Sequence, residues 1–192
     1  AGSTVTNVLV YNNRIHDNGN WQSTTPEDNH GIAIAQNVQN AWILDNFIFR
    51  NGGSGVQVSG GEAHRRDTFN VFIGRNTAYQ NRESAFWSKQ ATDVIVAQNT
   101  VFDHRPSGSS LGAGMGFQYG PDRVWFLFNH IYNTNYGIFG DNDVGTSGDG
   151  YYAFFIGNLI HDVRSTGTFD PNTPYSDGQA IYINALESLF FV

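Results

Sequence analysis

Apolar and polar side chains alternate in short segments along most of the chain. A period of two residues is typical of a strand that buries one face. Six of these segments end shortly before an asparagine. They predict strands at Val8–Tyr11, Ala41–Leu44, Val71–Gly74, Val94–Ala97, Val124–Leu127 and Ala153–Ile156.

The asparagine after each segment recurs at intervals of 33, 30, 23, 30 and 29 residues, at Asn13, Asn46, Asn76, Asn99, Asn129 and Asn158. A short apolar strand follows each one, and a third strand comes later, at Gly31–Ile34, Gly55–Val58, Ala85–Ser88, Gly116–Tyr119, Gly137–Gly140 and Ala180–Ile183. Repeats of this length indicate stacked units. We therefore predict an all-β, right-handed parallel β-helix of about six rungs, each with three short strands. Its asparagines would form an internal hydrogen-bonded ladder.

Two strings in this repeat, NRIHDNG at residues 13–19 and NHGIAI at residues 29–34, are typical of a known family. Over roughly residues 6–192 the chain resembles the parallel β-helix repeat family, the pectate-lyase-like solenoids. That family includes polysaccharide lyases, glycoside hydrolases, epimerases and phage tailspikes, so the resemblance implies a fold and leaves the activity open. We expect one β-helix domain over residues 1–192, either a fragment of a longer chain or a self-stacking unit.

Charge and composition narrow the possible partners. A formal net charge of −7 and a pI near 5.1 argue against nucleic acid, which needs a basic surface. No apolar run approaches the roughly 20 residues that span a bilayer. The chain has no cysteine, which excludes disulfides and thiolate metal sites and is compatible with secretion. We expect a secreted or cell-surface protein.

The spacing between strands varies, and the long segments fall beside the third strand. Those before it are Asn18–Asn29, His104–Gly114 and Arg164–Gly178; those after it are Gly60–Thr68 and Asp141–Gly150. Insertions in solenoids concentrate on one face, often the binding face. This predicts a groove for a polysaccharide, with Gln57, Trp87, Gln118, Phe139 and Tyr182 on its floor.

Candidate catalytic residues lie near the same groove. Lys89 is the only lysine, two residues after Trp87, and Arg66 lies in a flanking segment. In uronate lyases of the resembled family, a Lys or Arg base removes the proton next to a carboxylate that a cation neutralises. The resemblance therefore implies Lys89 as a base. Carboxylates offer a glycosidase-like alternative, which needs a close pair: Glu27, Asp28, Asp141 and Asp177.

A calcium site is a further hypothesis. The loop DNDVGTSGDG places Asp141, Asp143 and Asp149 at spacings loosely like those of a calcium loop. It lacks the glycine at the sixth position and the terminal glutamate, so an ordinary turn is the alternative. Ca²⁺ is the one cofactor that the sequence suggests.

A row of large apolar residues on the first strand of each rung is predicted to point outward: Leu9, Trp42, Phe72, Ile95, Trp125 and Phe154. Monomeric proteins rarely leave such a patch bare, so this row predicts an interface for a homo-oligomer or filament. A second outward row, with His16 and His161 at its ends, is predicted to be a stack of rings.

Three functions remain open. The first is a lyase-like or epimerase-like enzyme acting on an acidic glycan. The second is a structural or adhesive β-helix that self-assembles as a filament, fibre or tailspike. The third is a glycan-binding module without catalysis, which would share the groove.

Overall fold

The computed structural model describes residues 3–23, 25, 27–61, 67–104, 106–107, 110–141, 152–163, 178–184 and 188–191. All regular elements within these ranges are β-strands, and every paired strand runs parallel to its neighbour. No helix long and apolar enough to cross a membrane occurs in this part of the chain. The predicted all-β, parallel β-helix is confirmed.

The described residues contain nineteen strands, which form three sheets. Sheet A contains β1 (Val5–Tyr11), β4 (Val38–Leu44), β7 (Phe69–Gly74), β10 (Thr92–Ala97), β13 (Asp122–Leu127), β16 (Tyr152–Ile156) and β19 (Ser188–Phe191). Sheet B contains β2 (Arg14–His16), β5 (Phe47–Phe49), β8 (Thr77–Tyr79), β11 (Thr100–Phe102), β14 (His130–Tyr132) and β17 (Leu159–His161). Sheet C contains β3 (Ile32–Ile34), β6 (Val56–Ser59), β9 (Ser84–Lys89), β12 (Ala113–Gln118), β15 (Tyr136–Asp141) and β18 (Gln179–Asn184).

The bend from sheet A to sheet B is built the same way in every rung. The residue before each ladder asparagine has a left-handed backbone conformation, with φ between 53° and 63°, at Asn12, Asp45, Arg75, Gln98, Phe128 and Gly157. This conformation is costly for residues other than glycine and needs compensating contacts. The asparagine that follows supplies them.

Asn46 shows the ladder contacts. Its Nδ2 donates to Asn76 Oδ1 at 2.9 Å and to the Val10 carbonyl at 3.0 Å, while its backbone N–H also donates to Asn76 Oδ1. Its own Oδ1 accepts from the backbone and the side chain of Asn13. The same pattern continues to Asn158. Buried polar groups are thus paired, and the predicted ladder is confirmed.

The core fills the space between the three sheets. Alternate residues of the strands point inward and are fully buried in the central rungs, as Ile43 from sheet A, Ile48 from sheet B and Val56 from sheet C illustrate. On the outside of sheet B, the predicted ring stack is present, with neighbouring centroids 4.6–5.4 Å apart, in the order His16, Phe49, Tyr79, Phe102, Tyr132 and His161.

A second ladder follows sheet B and includes a histidine. Asn18, Asn51 and Asn81 are joined side chain to side chain. His104 continues this column because β11 pairs in register with β8. The His104 ring is fully buried, and its Nδ1–H donates to the Asn81 carbonyl at 3.1 Å. His104 is therefore a ladder residue.

The predicted register of the fourth rung is wrong by two residues. Met115, and not Phe117, aligns with Phe86 and Ile138, and the strand is Ala113–Gln118. Phe117 also points into the core, where it aligns with Ser88 and Gly140. A Cβ on Gly140 would lie 2.2 Å from the Phe117 ring, so these small neighbours make room for the phenyl group.

The apolar row on sheet A lies on the outer face, as predicted, since the strands align Leu9 with Trp42 and so on through Phe154. Leu9 is 62% exposed and Trp42 is 40% exposed. The other four side chains, Phe72, Ile95, Trp125 and Phe154, are half-buried by one another. Whether the row is an interface stays a prediction.

The buried His104 generates a prediction about pH. Burial lowers its pKa from the ordinary 6.5 to about 4. His104 therefore takes up a proton below about pH 6.5 in the unfolded chain, but only below about pH 4 in the folded chain. The free energy of unfolding should consequently fall by about 3 kcal/mol as the pH decreases from 6.5 to 4. His104→Asn should remove this component, as measured by denaturant unfolding at several pH values.

The matched control is Asn51→Ser in the same ladder column, which removes no titratable group and should therefore keep the wild-type pH dependence. Identical pH slopes for wild type and His104→Asn would contradict the assignment of His104 as a neutral ladder residue.

Candidate functional site

A cleft of about 190 Å³ lies on the outer face of sheet C. Part of its wall, Ser110 and Leu111, comes from the long segment before β12, as the spacing predicted. The lining residues are Ser54, Gln57, Glu83, Ser84, Trp87, Lys89, Ser110, Leu111, Ala113, Gln118, Phe139 and Asp141. The cleft therefore contains Lys89 and most of the predicted floor.

Aromatic rings form a row along this face. The Trp87 and Phe139 rings are stacked with centroids 6.2 Å apart, and Phe139 stacks on Tyr182 at 4.9 Å. Gly116 lies between Trp87 and Phe139 in the register, and a Cβ there would lie 2.3 Å from the Trp87 ring. The absence of a side chain at Gly116 lets the indole lean across the fourth rung.

Two of the predicted floor residues differ from the prediction, Gln118 in its register and Phe139 in its exposure. Gln118 aligns with Lys89 and Asp141 rather than with Trp87, because of the corrected register of β12. Phe139 is only 8% exposed, since Trp87 and Tyr182 stack on it and Tyr136 packs edge-on against it. Trp87 and Tyr182 thus present the more accessible rings. Gln57 is in the predicted column, and Tyr182 continues the row beyond the residues that line the cleft.

A polar row runs beside the aromatic one. Lys89 is half-exposed, with its Nζ 5.7 Å from the centre of the Tyr119 ring. In register with it are Gln118 and Asp141. Asp141 accepts a hydrogen bond from Asn184 Nδ2 at 3.2 Å. A cation and an anion therefore stand at different points of one cleft.

Glu83 lies at the end of the cleft, directly before β9. Its side chain is 18% exposed, and Ser54 Oγ donates to Glu83 Oε2 at 3.2 Å. Arg82 Nη1 lies 3.7 Å from Glu83 Oε1. Burial raises the pKa of Glu83, and the charge of Asp28 raises it further, against the opposing effects of Ser54, Lys89 and Arg82. A partly buried carboxyl group with a raised pKa is a candidate for proton transfer.

His30 packs beside Glu83, with Nδ1 3.9 Å from Glu83 Oε2. The backbone N–H of Ser54 donates to His30 Nδ1 at 2.9 Å, so the neutral ring carries its proton on Nε2. Gly53 permits this approach, because a Cβ there would lie 2.5 Å from Nδ1. Burial lowers the pKa of His30, which keeps the ring neutral at physiological pH. His30 is therefore suited to donate a hydrogen bond from Nε2.

Asp28, His30 and Glu83 together offer possible metal ligands, with one atom from each within 4.8 Å of the others. The two carboxylates suit a hard cation such as Ca²⁺. The imidazole fits less well, because its Nδ1 lone pair already accepts the Ser54 N–H. Of the predicted calcium residues, Asp141 lines the cleft, whereas Asp143 and Asp149 lie outside the described residues. Ca²⁺ stays a prediction.

Two candidate catalytic residues, Arg66 and Asp177, also lie outside the described residues. Sequence reasoning missed Glu83 and left His30 unassigned. Their positions in the repeat are the feature that could have identified them. Each residue stands just before a third strand, and the strand register places His30 in the column of Ser54 and Ser84.

Comparison with known proteins agrees with this architecture. Residues 2–147 match the family described as the right-handed β-helix region, and the chain belongs to this family. A search of curated proteins finds no significant match. Among solved structures, a double mutant of the periplasmic alginate epimerase AlgG is similar, with a TM-score of 0.65 and 15% sequence identity. The match covers 98% of this chain and 41% of the AlgG chain, so this chain spans about two fifths of that protein. At this identity the similarity shows a shared fold.

The electrostatics of the cleft can be measured directly. In a carboxyl ¹³C NMR titration we expect Glu83 to have a pKa above that of an ordinary glutamate. Lys89→Met should raise the pKa further by removing a positive charge, and Asp28→Asn should lower it.

Glu27 is the internal control, because the Asn20 backbone N–H that donates to it lowers its pKa. A Glu83 that titrates at or below the ordinary glutamate value would show that the described burial is wrong.

Proposed function

We propose that this β-helix binds an acidic polysaccharide along the cleft of sheet C and transfers a proton at the carbon next to a uronate carboxylate, as lyases and epimerases do. The observation that carries the proposal is that Lys89, Glu83 and Trp87 line one cleft. The cation can neutralise a uronate carboxylate, the carboxyl group can take a proton, and the aromatic face can hold a sugar ring.

The cleft suits a sugar chain. Trp87 offers a flat apolar face that can pack against the C–H face of a sugar ring, and Tyr182 repeats this further along sheet C. The amides of Gln57 and Gln118 line the same cleft and can bind hydroxyl groups. The row follows the solenoid axis, which is the direction that an extended polymer would take.

Charge assigns the chemical roles. Lys89 pairs with the uronate carboxylate and stabilises the negative charge that develops there when the neighbouring C–H bond breaks. Glu83 in its ionised form takes that proton. In a lyase the C–O bond to the leaving sugar then breaks and its oxygen takes a proton from water. In an epimerase the carbon takes a proton from water on the opposite face.

Two further observations support this class. The fold is shared with an alginate epimerase, which is consistent with a polysaccharide substrate. That protein is periplasmic, in line with the expectation that this chain is secreted or at the cell surface.

Activity is tested with polymannuronate, polyguluronate and polygalacturonate. A lyase is read from ultraviolet absorbance of the unsaturated product, and an epimerase from ¹H NMR of the sugar ring and deuterium uptake from D₂O. We expect Lys89→Met and Glu83→Gln each to reduce turnover about 100-fold or more, as is usual for groups that act in proton transfer or charge stabilisation.

Arg75→Gln is the control for loss of a cation, because Arg75 pairs with Asp45 away from the cleft and should leave turnover unchanged. Full activity in both cleft variants, or no activity on any polyuronate, would refute the proposal.

A second candidate is a structural or adhesive protein that self-assembles. It is favoured by the exposed Leu9 and Trp42 and by a groove of about 500 Å³ along the same apolar row of sheet A. It predicts association in analytical ultracentrifugation that Trp42→Ser weakens. Sedimentation as a monomer at every concentration would exclude this alternative.

A further inference from the structure

A pair of histidines lies on the outer face of sheet B, away from the cleft. His130 lies on β14 and His161 on β17, and these strands pair so that Tyr132 aligns with His161. The two imidazoles are diagonal neighbours on the face opposite Ile131, which is buried. His130 Nε2 and His161 Nε2 are 2.9 Å apart.

An aspartate fixes the tautomer of one ring. His161 Nδ1 lies 2.9 Å from Asp162 Oδ2, so Nδ1–H donates to the carboxylate and the lone pair is left on Nε2, the nitrogen nearest His130. A histidine that donates its second ring N–H to a carboxylate is the usual arrangement of a metal ligand, because the carboxylate orients the ring and raises its basicity.

Stacking holds the same ring in place. His161 stacks on Tyr132 with centroids 5.4 Å apart and an angle of 5° between the planes. Tyr132 stacks in turn on Phe102 at 5.1 Å. A ligand fixed by both a hydrogen bond and ring packing is preorganised for binding.

We propose that His130 and His161 form a binding site for a divalent transition-metal cation, with Asp162 orienting His161. With metal–nitrogen bonds of about 2.0–2.1 Å, a separation of 2.9 Å between the two Nε2 atoms corresponds to roughly 90° at the metal. A tetrahedral ion would instead set the nitrogens about 3.3 Å apart. The geometry therefore favours Cu²⁺ or Ni²⁺ in adjacent positions of a square-planar or octahedral shell.

Without a metal, the short contact is a hydrogen bond in which His130 Nε2–H donates to His161 Nε2. Metal binding requires His130 to carry its proton on Nδ1 instead. This is a change of tautomer within one neutral ring, and it leaves the hydrogen bond to Asp162 intact.

The repeat supplies variants that should preserve the fold. Phe102 stands in the column of His161, and Thr100 stands in the column of His130. His161→Phe therefore gives the sixth rung the residue that the fourth rung has at the same position, and His130→Thr does the same for the fifth rung. His16→Phe is the matched control, because His16 also stacks in the ring column and contacts an aspartate, Asp17, which pairs with Arg50.

The experiment is calorimetric titration of the tag-free protein with NiCl₂ and with CuCl₂ in a non-coordinating buffer. We expect one ion per chain in the wild type and in His16→Phe, and affinity weaker by about tenfold or more in His161→Phe and in His130→Thr. Electron paramagnetic resonance of the Cu²⁺ complex should show two nitrogen ligands in the wild type.

Circular dichroism spectra and melting curves establish that each variant is folded. Absence of stoichiometric binding, or equal loss of affinity in His16→Phe, would overturn the proposal. So would Cu²⁺ binding with unchanged affinity in both His130→Thr and His161→Phe.

Discussion

The amide of an asparagine at every bend between sheets A and B, buried in the four central rungs, is the contact on which the rest of the structure depends. The bend uses a left-handed residue and leaves backbone groups that no strand can pair. Asn76 shows the solution: its amide donates to the Ile43 carbonyl and to Asn99 Oδ1, while its own oxygen accepts twice from Asn46. Side-chain amides thus repeat at the spacing of the strands themselves, about 4.8 Å. One polar column therefore fixes the path of every rung.

This fixed interior leaves the outer faces free to differ. Each sheet presents outward columns with the same spacing, and each carries a different surface: apolar residues on A, stacked rings and histidines on B, and the cleft on C. Among the described residues, an inserted segment supplies Ser110 and Leu111 to the wall beside sheet C. Ser110, from such a segment, donates to the Glu83 carbonyl at 2.8 Å and so ties the wall to the cleft. Arg82 performs a similar role by donating to the Ser23 carbonyl.

The regular parts of this structure could be predicted because their cause repeats along the sequence. The asparagine intervals predicted the ladder, the ring row and the outward position of the Trp42 column. The register of β12 could not be predicted, because both Met115 and Phe117 are apolar and satisfy the same alternation; the space beside Gly140 decides between them. Glu83 and His30 were missed for a different reason. The repeat places both just before a third strand, but it does not encode the burial that shifts their pKa values.

The central claim is that the cleft of sheet C is a binding site for an acidic sugar chain. A crystal structure of the protein with a uronate oligosaccharide tests it most directly. We predict that a sugar ring packs on Trp87, with its carboxylate within ion-pair distance of Lys89 and the neighbouring C–H bond facing Glu83. An oligosaccharide bound instead along the Trp42 row of sheet A, with the cleft of sheet C empty, would contradict the account.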